Sequence, residues 1–280
     1  MNIIHMIDDF QILCEELDEL GPFEAYKRYI SKYPELFKGI LEGLYMTGVE
    51  SLKPMIEAID FKRNLQIAKN NYGLATVQRL ISISKEVVSL LGYKEDFDIY
   101  LGLELGNIAG FSAPSPKDRP FIYIGLDREI DETFLKFFIP HELNHMIRVN
   151  MIKDIDLFDF MERTVTEGLG SYSPIALYNM EYKLDTISAS LGLPNKVVAR
   201  LIDKRDVLIE KVTGEFGSPL NKEKMDEYFT WSKLDGDKYY LSGYYVGMEI
   251  VKTLTDRGYD FAHLTFMESG EIWERYKEEI

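Results

Sequence analysis

The chain has 280 residues, an apolar content of 46% and a formal net charge of −15. This apolar content is typical of a folded globular protein and excludes a mostly disordered chain. The excess of acidic residues opposes binding to phosphate backbones, and no compact basic stripe stands out, so we expect no interaction with nucleic acid.

The lengths of the apolar segments and the number of cysteines restrict the cellular compartments that we expect for the protein. No apolar run approaches the roughly 18 residues that are needed to cross a bilayer. The N-terminal segment lacks the basic region that is typical of a secretory signal. Cys14 is the only cysteine, which excludes an internal disulfide and a thiolate metal cluster. We therefore expect a soluble, cytoplasmic protein that does not enter a membrane.

Residues 1–92 show a helical pattern throughout. In residues 74–91, six positions recur at spacings of three and four, which lines one face of a helix. These positions are Leu74, Val77, Ile81, Ser84, Val88 and Leu91. Gly92 follows where the C-cap glycine of a helix belongs. We interpret residues 1–95 as a helical N-terminal region that serves as scaffold.

The hydrophobic period changes at residue 96. Residues 96–105 (DFDIYLGLEL) alternate between apolar and other residues, which predicts a half-buried strand. A loop rich in Gly, Ser and Pro follows at 106–120, and residues 121–126 (FIYIGL) predict a second strand. Asp131 and Glu132 then place negative charge at the start of a helix.

Residues beyond 150 show a helical pattern again, with breaks at 192–194, 214–219 and 235–237. The chain shows no internal repeat. We therefore predict an α+β fold that is mostly helical, with a small β-sheet before the helix that contains residues 141–145. Residues 96–280 are predicted to form one domain after the helical N-terminal region.

Residues 141–145, HELNH, contain two of the four histidines of the chain. His141 and His145 are four residues apart, so on a helix both imidazoles project from one face and can bind a single Zn²⁺. Glu142 lies about 100° around the helix from His141, where it can take a proton from a metal-bound water. This is the HExxH arrangement of zinc peptidases.

A catalytic zinc ion needs a third protein ligand and one open position. Glu167 is 22 residues after His145, a distance that allows a turn and a second helix to bring its carboxylate to the metal. The competing acids are Asp154, Asp156, Asp159 and Glu162. The aspartates fall in the predicted turn, and Glu162 points to a different side of the helix from Glu167. We therefore predict Glu167 as the third ligand.

Two features close to the ligands bear on their geometry. Gly168 and Gly170 flank Glu167, and their small size allows two helices to approach closely, although each costs about 1 kcal/mol in a helix relative to alanine. Pro140 directly precedes His141. It is either an interior proline that kinks a helix running from Asp131, or the first residue of a new helix. Both alternatives are compatible with zinc binding.

Three segments of the sequence resemble those of a known family. Residues 141–145 followed by 167–172 (EGLGSY) resemble the gluzincin pattern, in which HExxH is followed by a helix that bears EGxAxY. Residues 242–251 (SGYYVGMEIV) resemble the G-Y-x-x-G-x-x-I-V segment of DUF2268, a family of predicted zinc-dependent proteases that are similar to YjaZ. Gly170 departs from the pattern, which prefers alanine there.

The resemblance implies a zincin-like metallopeptidase domain that hydrolyses peptide bonds. It implies that His141, His145 and Glu167 are zinc ligands and that Glu142 is the general base. The oxyanion needs a further hydrogen-bond donor, and Tyr244 is our first candidate because it lies in the third segment of the resemblance. The other candidates for this role are Tyr245, Tyr172 and His263.

Two other interpretations remain open from the sequence. The chain could be a catalytically inactive zinc-binding module, with regulatory or interaction roles, on a peptidase scaffold. The retention of Glu142 beside the histidines argues against this, because a purely structural metal has no use for a base. In the second interpretation the helices bind no metal and the two histidines share a face by accident.

Overall fold

The computed structural model describes residues 1–106, 109–112, 119–128, 130–230 and 240–280, apart from the side chains at 74 and 75. Most of the predicted loop at 106–120 and the predicted break at 235–237 lie outside the described residues. The chain forms two compact units. The first unit contains Met1–Ser82 and Glu95–Asp131, and the second contains Ile83–Lys94 and Glu132–Ile280.

The first unit combines helices with a small mixed sheet. Its helices are α1 (Ile7–Ile30), α2 (Pro34–Gly39), α3 (Lys53–Glu57) and α4 (Phe61–Asn71), and α5 (Leu74–Leu90) begins in this unit. A π-helical turn at Ile40–Leu44 and a 3₁₀ turn at Val49–Leu52 join α2 to α3. The strands are β1 (Asn2–His5), β2 (Asp98–Gly102), β3 (Gly110–Phe111) and β4 (Phe121–Gly125).

The order of the strands in the sheet is β1-β2-β4-β3. Strands β1, β2 and β4 are parallel, with Ile3 opposite Ile99 and Ile99 opposite Ile122, and β3 is antiparallel to β4. The prediction of helix throughout residues 1–92 is therefore wrong at β1. A four-residue segment with only two apolar residues does not distinguish strand from helix, and β1 forms because β2, far along the chain, supplies its hydrogen-bond partners.

The pairing of β1 with β2 also explains why the compact units differ from the division predicted at residue 95. Strands β2 to β4 belong to the same unit as α1 to α4. The strand predicted for residues 96–105 is confirmed at Asp98–Gly102, but burial alternates only as far as residue 101, because residues 101–105 are all buried. All five of the large apolar side chains in the predicted strand are buried. They are Phe97, Ile99, Leu101, Leu103 and Leu105.

Helix α5 confirms the helix predicted for residues 74–91, with its buried face displaced by about one residue. Leu80, Ile83 and Val87 are buried, whereas Val77 and Val88 are half-buried. Gly92 has a φ of +71°, as expected for a C-cap glycine, and the backbone N–H of residue 93 donates to the carbonyl of residue 88.

In the second unit, the regular elements that the structure describes are all helices or short helical turns. Its longer helices are α6 (Glu132–Met151), α7 (Phe160–Leu177), α8 (Leu184–Leu191), α9 (Asn195–Asp203), α10 (Arg205–Thr213), α12 (Ser242–Asp256) and α14 (Ser269–Glu279). Shorter pieces are α11 (Lys222–Lys224), which continues into a π turn at Met225–Phe229, and α13 (Phe261–Thr265). The predicted mostly helical α+β class is confirmed.

The helix ends agree with two of the predicted breaks. Gly192, with φ of +60°, ends α8, and the next helix begins at Asn195. Helix α10 ends at Thr213, just before the predicted break at 214–219. Among the described residues, no helix has both the length and the apolar character that a membrane span requires.

Helix α7 is central to the second unit because both α6 and α12 pack against it. The contact with α12 is unusually close at Gly168 and Gly247. A Cβ atom on Gly168 would lie 2.2 Å from the carbonyl carbon of Gly247, and one on Gly247 would lie 2.2 Å from the carbonyl oxygen of Thr164. The two helix backbones therefore touch, and no side chain larger than hydrogen fits between them.

Arg148 joins α6 to its neighbours from a fully buried position. Its guanidinium donates five hydrogen bonds of 2.9–3.2 Å, two of them to Glu162 and Thr166 on α7. The others go to the carbonyl oxygens of residues 265 and 267 and to the hydroxyl of residue 269. All five N–H groups of an arginine are thus satisfied, and the relative positions of α6 and α7 are held at this point.

Candidate metal centre

Helix α6 carries the HELNH segment and runs unbroken from Glu132 to Met151. Pro140 is therefore an interior residue of this helix and not the start of a new one. The prediction that His141 and His145 share a helix face is confirmed by their rings, whose centroids are 4.4 Å apart. The side chains of the two histidines are 17% and 12% exposed, so a small opening reaches the rings from solvent.

Glu167 extends from α7 toward both imidazoles. Its Oε2 atom lies 3.0 Å from Nε2 of His145 and 3.5 Å from Nε2 of His141. One donor atom from each of the three residues lies within 4.8 Å of the other two. The structure therefore brings together, from two segments of the chain, the three residues that were predicted as ligands.

These separations agree with the dimensions of a zinc site. Zinc binds histidine nitrogen at about 2.0–2.1 Å and carboxylate oxygen at about 2.0–2.2 Å, so ligand atoms at tetrahedral corners are about 3.3 Å apart. The two nitrogen–oxygen distances of 3.0 and 3.5 Å lie on either side of that value. Two neutral imidazoles and one carboxylate also form the ligand set of known catalytic zinc sites. The residues present therefore fit a zinc ion.

The competing acids have other partners or face solvent. Glu162 accepts a hydrogen bond of 2.9 Å from the buried Arg148. Asp159 accepts one from the backbone N–H of residue 162 and so caps α7, and Asp156 accepts one from the backbone of residue 158. The side chain of Asp154 is 87% exposed. Glu167 is accordingly the acid that the fold brings to the histidines.

Arg163 is a site residue that the sequence reasoning missed. Its Nη2 atom lies 2.8 Å from Oε1 of Glu167, the oxygen that is not directed at the histidines. Arg163 is four residues before Glu167 on α7, and oppositely charged side chains at this helical spacing commonly pair. That spacing is the signal in the sequence that would have identified it.

Gly170 provides the surface on which both imidazoles lie. A Cβ atom at this position would be 2.7 Å from Cε1 of His145 and 3.1 Å from Cε1 and Nδ1 of His141. Nδ1 of His145 is buried and has no hydrogen-bond partner within the described part of the chain. The orientation of this ring therefore depends on packing against the bare backbone of α7 at Gly170.

Glu142 follows His141 on α6 and is only 6% exposed. Burial raises the pKa of its carboxyl group to about 7, with a further rise from the charge of Glu167 and opposing effects of His141 and Arg163. A carboxyl group with a pKa near neutrality can both accept and release a proton at physiological pH. This property suits the role of general base that was predicted for it.

The charges within the ligand set follow from their mutual contacts. Burial acts to raise the pKa of Glu167, but Arg163 and the two imidazoles outweigh it and hold that pKa well below its ordinary value. Burial lowers the pKa of His145 to about 4. Glu167 is therefore ionised and His145 neutral at physiological pH, which are the protonation states in which these two side chains can bind a metal. Burial acts to lower the pKa of His141, but Glu167 and Glu142 outweigh it and raise that pKa, so a metal ion competes with a proton for this ring more than for that of His145.

Tyr244, at the start of α12, reaches the same site. Its ring is nearly parallel to that of His141, with centroids 6.3 Å apart, and its hydroxyl interacts electrostatically with Arg163. Burial, together with the charge of Glu167, raises its pKa far above the ordinary value, so the hydroxyl retains its proton. Its role as an oxyanion donor stays a prediction.

The other candidates for that role contact different partners. The hydroxyl of Tyr245 is hydrogen-bonded to Glu249, and the hydroxyl of Tyr172 accepts a hydrogen bond of 3.1 Å from Thr255. His263 lies in the short helix α13, where its backbone N–H donates a hydrogen bond. Among the contacts that the structure describes, none joins these three side chains to His141 or His145.

No protein-family model, curated protein or solved structure matches the chain. The resemblance to the DUF2268 proteases therefore stays a prediction. The case for a metal site depends on the geometry of the second unit, where two nitrogens and one oxygen converge from α6 and α7.

Proposed function

We propose that the chain is a zinc-dependent peptidase that hydrolyses peptide bonds of a peptide or protein substrate. The observation that carries the proposal is the convergence of His141 Nε2, His145 Nε2 and Glu167 Oε2 beside the buried carboxyl group of Glu142. A purely structural metal has no use for such a carboxyl group. A cytoplasmic location is part of the proposal, because the chain has a single, buried cysteine and no disulfide to maintain.

Each residue has a separate task in the proposed reaction. Zinc bound by His141, His145 and Glu167 would supply a water molecule of lowered pKa and polarise the substrate carbonyl. Glu142 takes a proton from the attacking water and later delivers it to the leaving amine, which a carboxyl group of pKa about 7 can do in both directions.

Tyr244 is the proposed hydrogen-bond donor to the oxygen on which negative charge develops. Its hydroxyl remains protonated because its pKa is raised, and it lies next to His141. Such a donor stabilises the transition state more than the ground state when it is held in place beforehand. The interaction of the hydroxyl with the Arg163 side chain is proposed to hold it in this way.

The test is digestion of a mixed peptide library by the wild-type protein and by Glu142→Gln, with the metal content of both proteins measured. The substitution keeps the size of the side chain and removes the proton acceptor. We expect cleavage by the wild type that a chelator abolishes, a loss of turnover of about 10²–10⁴-fold in the variant, and equal zinc content in both.

Each other outcome points to a different conclusion. Wild-type protein that binds zinc without cleaving any peptide would favour the inactive zinc-binding module. Wild-type turnover by Glu142→Gln on a confirmed substrate would exclude Glu142 as the base. Purified protein without any bound metal, and without uptake of added zinc, would refute the metal site itself.

A further inference from the structure

Two arginine–glutamate pairs lie at neighbouring positions, one between α6 and α7 and the other within α7, and the pairs differ in their surroundings. Arg148 pairs with Glu162 away from the histidines, and Arg163 pairs with Glu167, which faces them. This inference rests on the proposed function, because it concerns the way in which Glu167 presents itself to a metal ion.

The two carboxylate oxygens of Glu167 have different partners. Oε2 faces both imidazoles at 3.0 and 3.5 Å, while Oε1 is 2.8 Å from the guanidinium of Arg163. The two opposite charges form an ion pair, which fixes the position of Oε1 relative to the guanidinium. It is also protected from water, since the side chain of Glu167 is only 5% exposed. Oε1 is therefore already paired with Arg163 before a metal binds.

We propose that Arg163 is a positioning residue that restricts Glu167 to ligation through Oε2 alone. A carboxylate that binds through both oxygens takes two positions around the metal. With Oε1 held by Arg163, the two imidazoles and Oε2 occupy three positions, and the fourth remains for water or substrate, as a catalytic zinc site requires. Arg163 thus protects the open position without contacting the substrate.

The contacts of the two arginines distinguish positioning from simple structural pairing. Arg148 uses all five of its N–H groups, as expected of an arginine that stabilises a core. Arg163 joins Glu167 to Tyr244, and its buried Nε atom has no hydrogen-bond partner among the residues that the structure describes. Arg148 therefore donates only to residues outside the predicted ligand set, whereas Arg163 contacts the predicted ligand Glu167 directly.

The test uses the full chain loaded with Co²⁺ in place of zinc, because the visible absorption of Co²⁺ is stronger with four ligand atoms than with five. Arg163→Met removes the ion pair with Oε1 and introduces an uncharged side chain that still fills much of the space. We expect a loss of visible absorption intensity in this variant, and one additional oxygen neighbour in X-ray absorption spectra of its zinc form. Arg163→Lys retains a cation near Oε1 and is expected to keep the wild-type spectrum.

Arg148→Lys is the matched control, since it perturbs the neighbouring buried pair and should leave the Co²⁺ spectrum unchanged. An unchanged spectrum in Arg163→Met would overturn the proposal. If Arg163→Met does not fold, a structure of the zinc-loaded wild type decides, because both oxygens of Glu167 on the metal would also overturn it. Failure of the wild type to bind either metal refutes the proposed function, whereas one-oxygen binding without peptide cleavage refutes peptidase activity and leaves the role of Arg163 intact.

Discussion

Replacement of Gly170 by alanine should weaken zinc binding without unfolding the protein. The new Cβ atom would lie 2.7 Å from Cε1 of His145, against an ordinary carbon–carbon contact of about 3.5 Å. The ring must therefore move by roughly 0.8 Å, which is about four times the tolerance of roughly 0.2 Å for a zinc–ligand distance. The His141 ring, at 3.1 Å, must move by a smaller amount.

The expected loss of zinc affinity is about 10–100-fold, as is usual when the group that orients a metal ligand is removed. This loss corresponds to about 1.4–2.7 kcal/mol. The metal-free protein should tolerate the change, because the added methyl group meets side-chain rings that can rotate and because alanine gains up to about 1 kcal/mol over glycine in a helix. The assay is competition for zinc against a chelating dye, with thermal unfolding of the metal-free protein measured in parallel.

Two other glycines in the same unit provide controls. A Cβ atom on Gly270, at the exposed start of α14, meets nothing within 4 Å, so Gly270→Ala should leave the zinc affinity unchanged and raise stability by no more than about 1 kcal/mol. Gly168→Ala should destabilise the fold itself, because its Cβ would lie 2.2 Å from the backbone of Gly247. Wild-type zinc affinity in Gly170→Ala would refute the conclusion that this bare stretch of α7 orients the imidazoles.

Three further predictions test the assignments around the site and the burial of the cysteine. Glu167→Ala should abolish zinc binding in calorimetry, whereas Glu162→Ala should retain zinc and lower the thermal midpoint, since Glu162 pairs with Arg148; the reverse result would move the third ligand. Arg148→Met should lower the free energy of unfolding by about 3–5 kcal/mol in denaturant titration, and a loss below about 1 kcal/mol would mean that its five hydrogen bonds contribute little. Burial raises the pKa of Cys14 to about 11, so its thiolate fraction at pH 8 is on the order of 10⁻³. A thiol reagent should therefore label Cys14 only after unfolding. Rapid labelling of the native protein would contradict its burial.

Local patterns in the sequence were sufficient where the physical cause is itself local. The spacing of His141 and His145 predicts a shared helix face because an α-helix repeats every 3.6 residues, and the alternation in residues 96–105 predicts a strand because side chains alternate across it. The C-cap at Gly92 follows from the freedom of glycine to adopt positive φ. These features were confirmed because each depends on neighbours within a few residues.

Tertiary structure decided what depends on partners far along the chain. Strand β1 exists because Asn2–His5 pairs with β2, which lies more than 90 residues away. Helical spacing favoured Glu167 over Glu162 from the sequence, but the pairing of Glu162 with the buried Arg148 is visible only in the tertiary structure. The importance of Gly170 likewise required the position of both imidazoles against α7. The spacing of Arg163 and Glu167 was visible in the sequence, but the division of the two carboxylate oxygens between the arginine and the histidines arises only from the packing of α6 on α7.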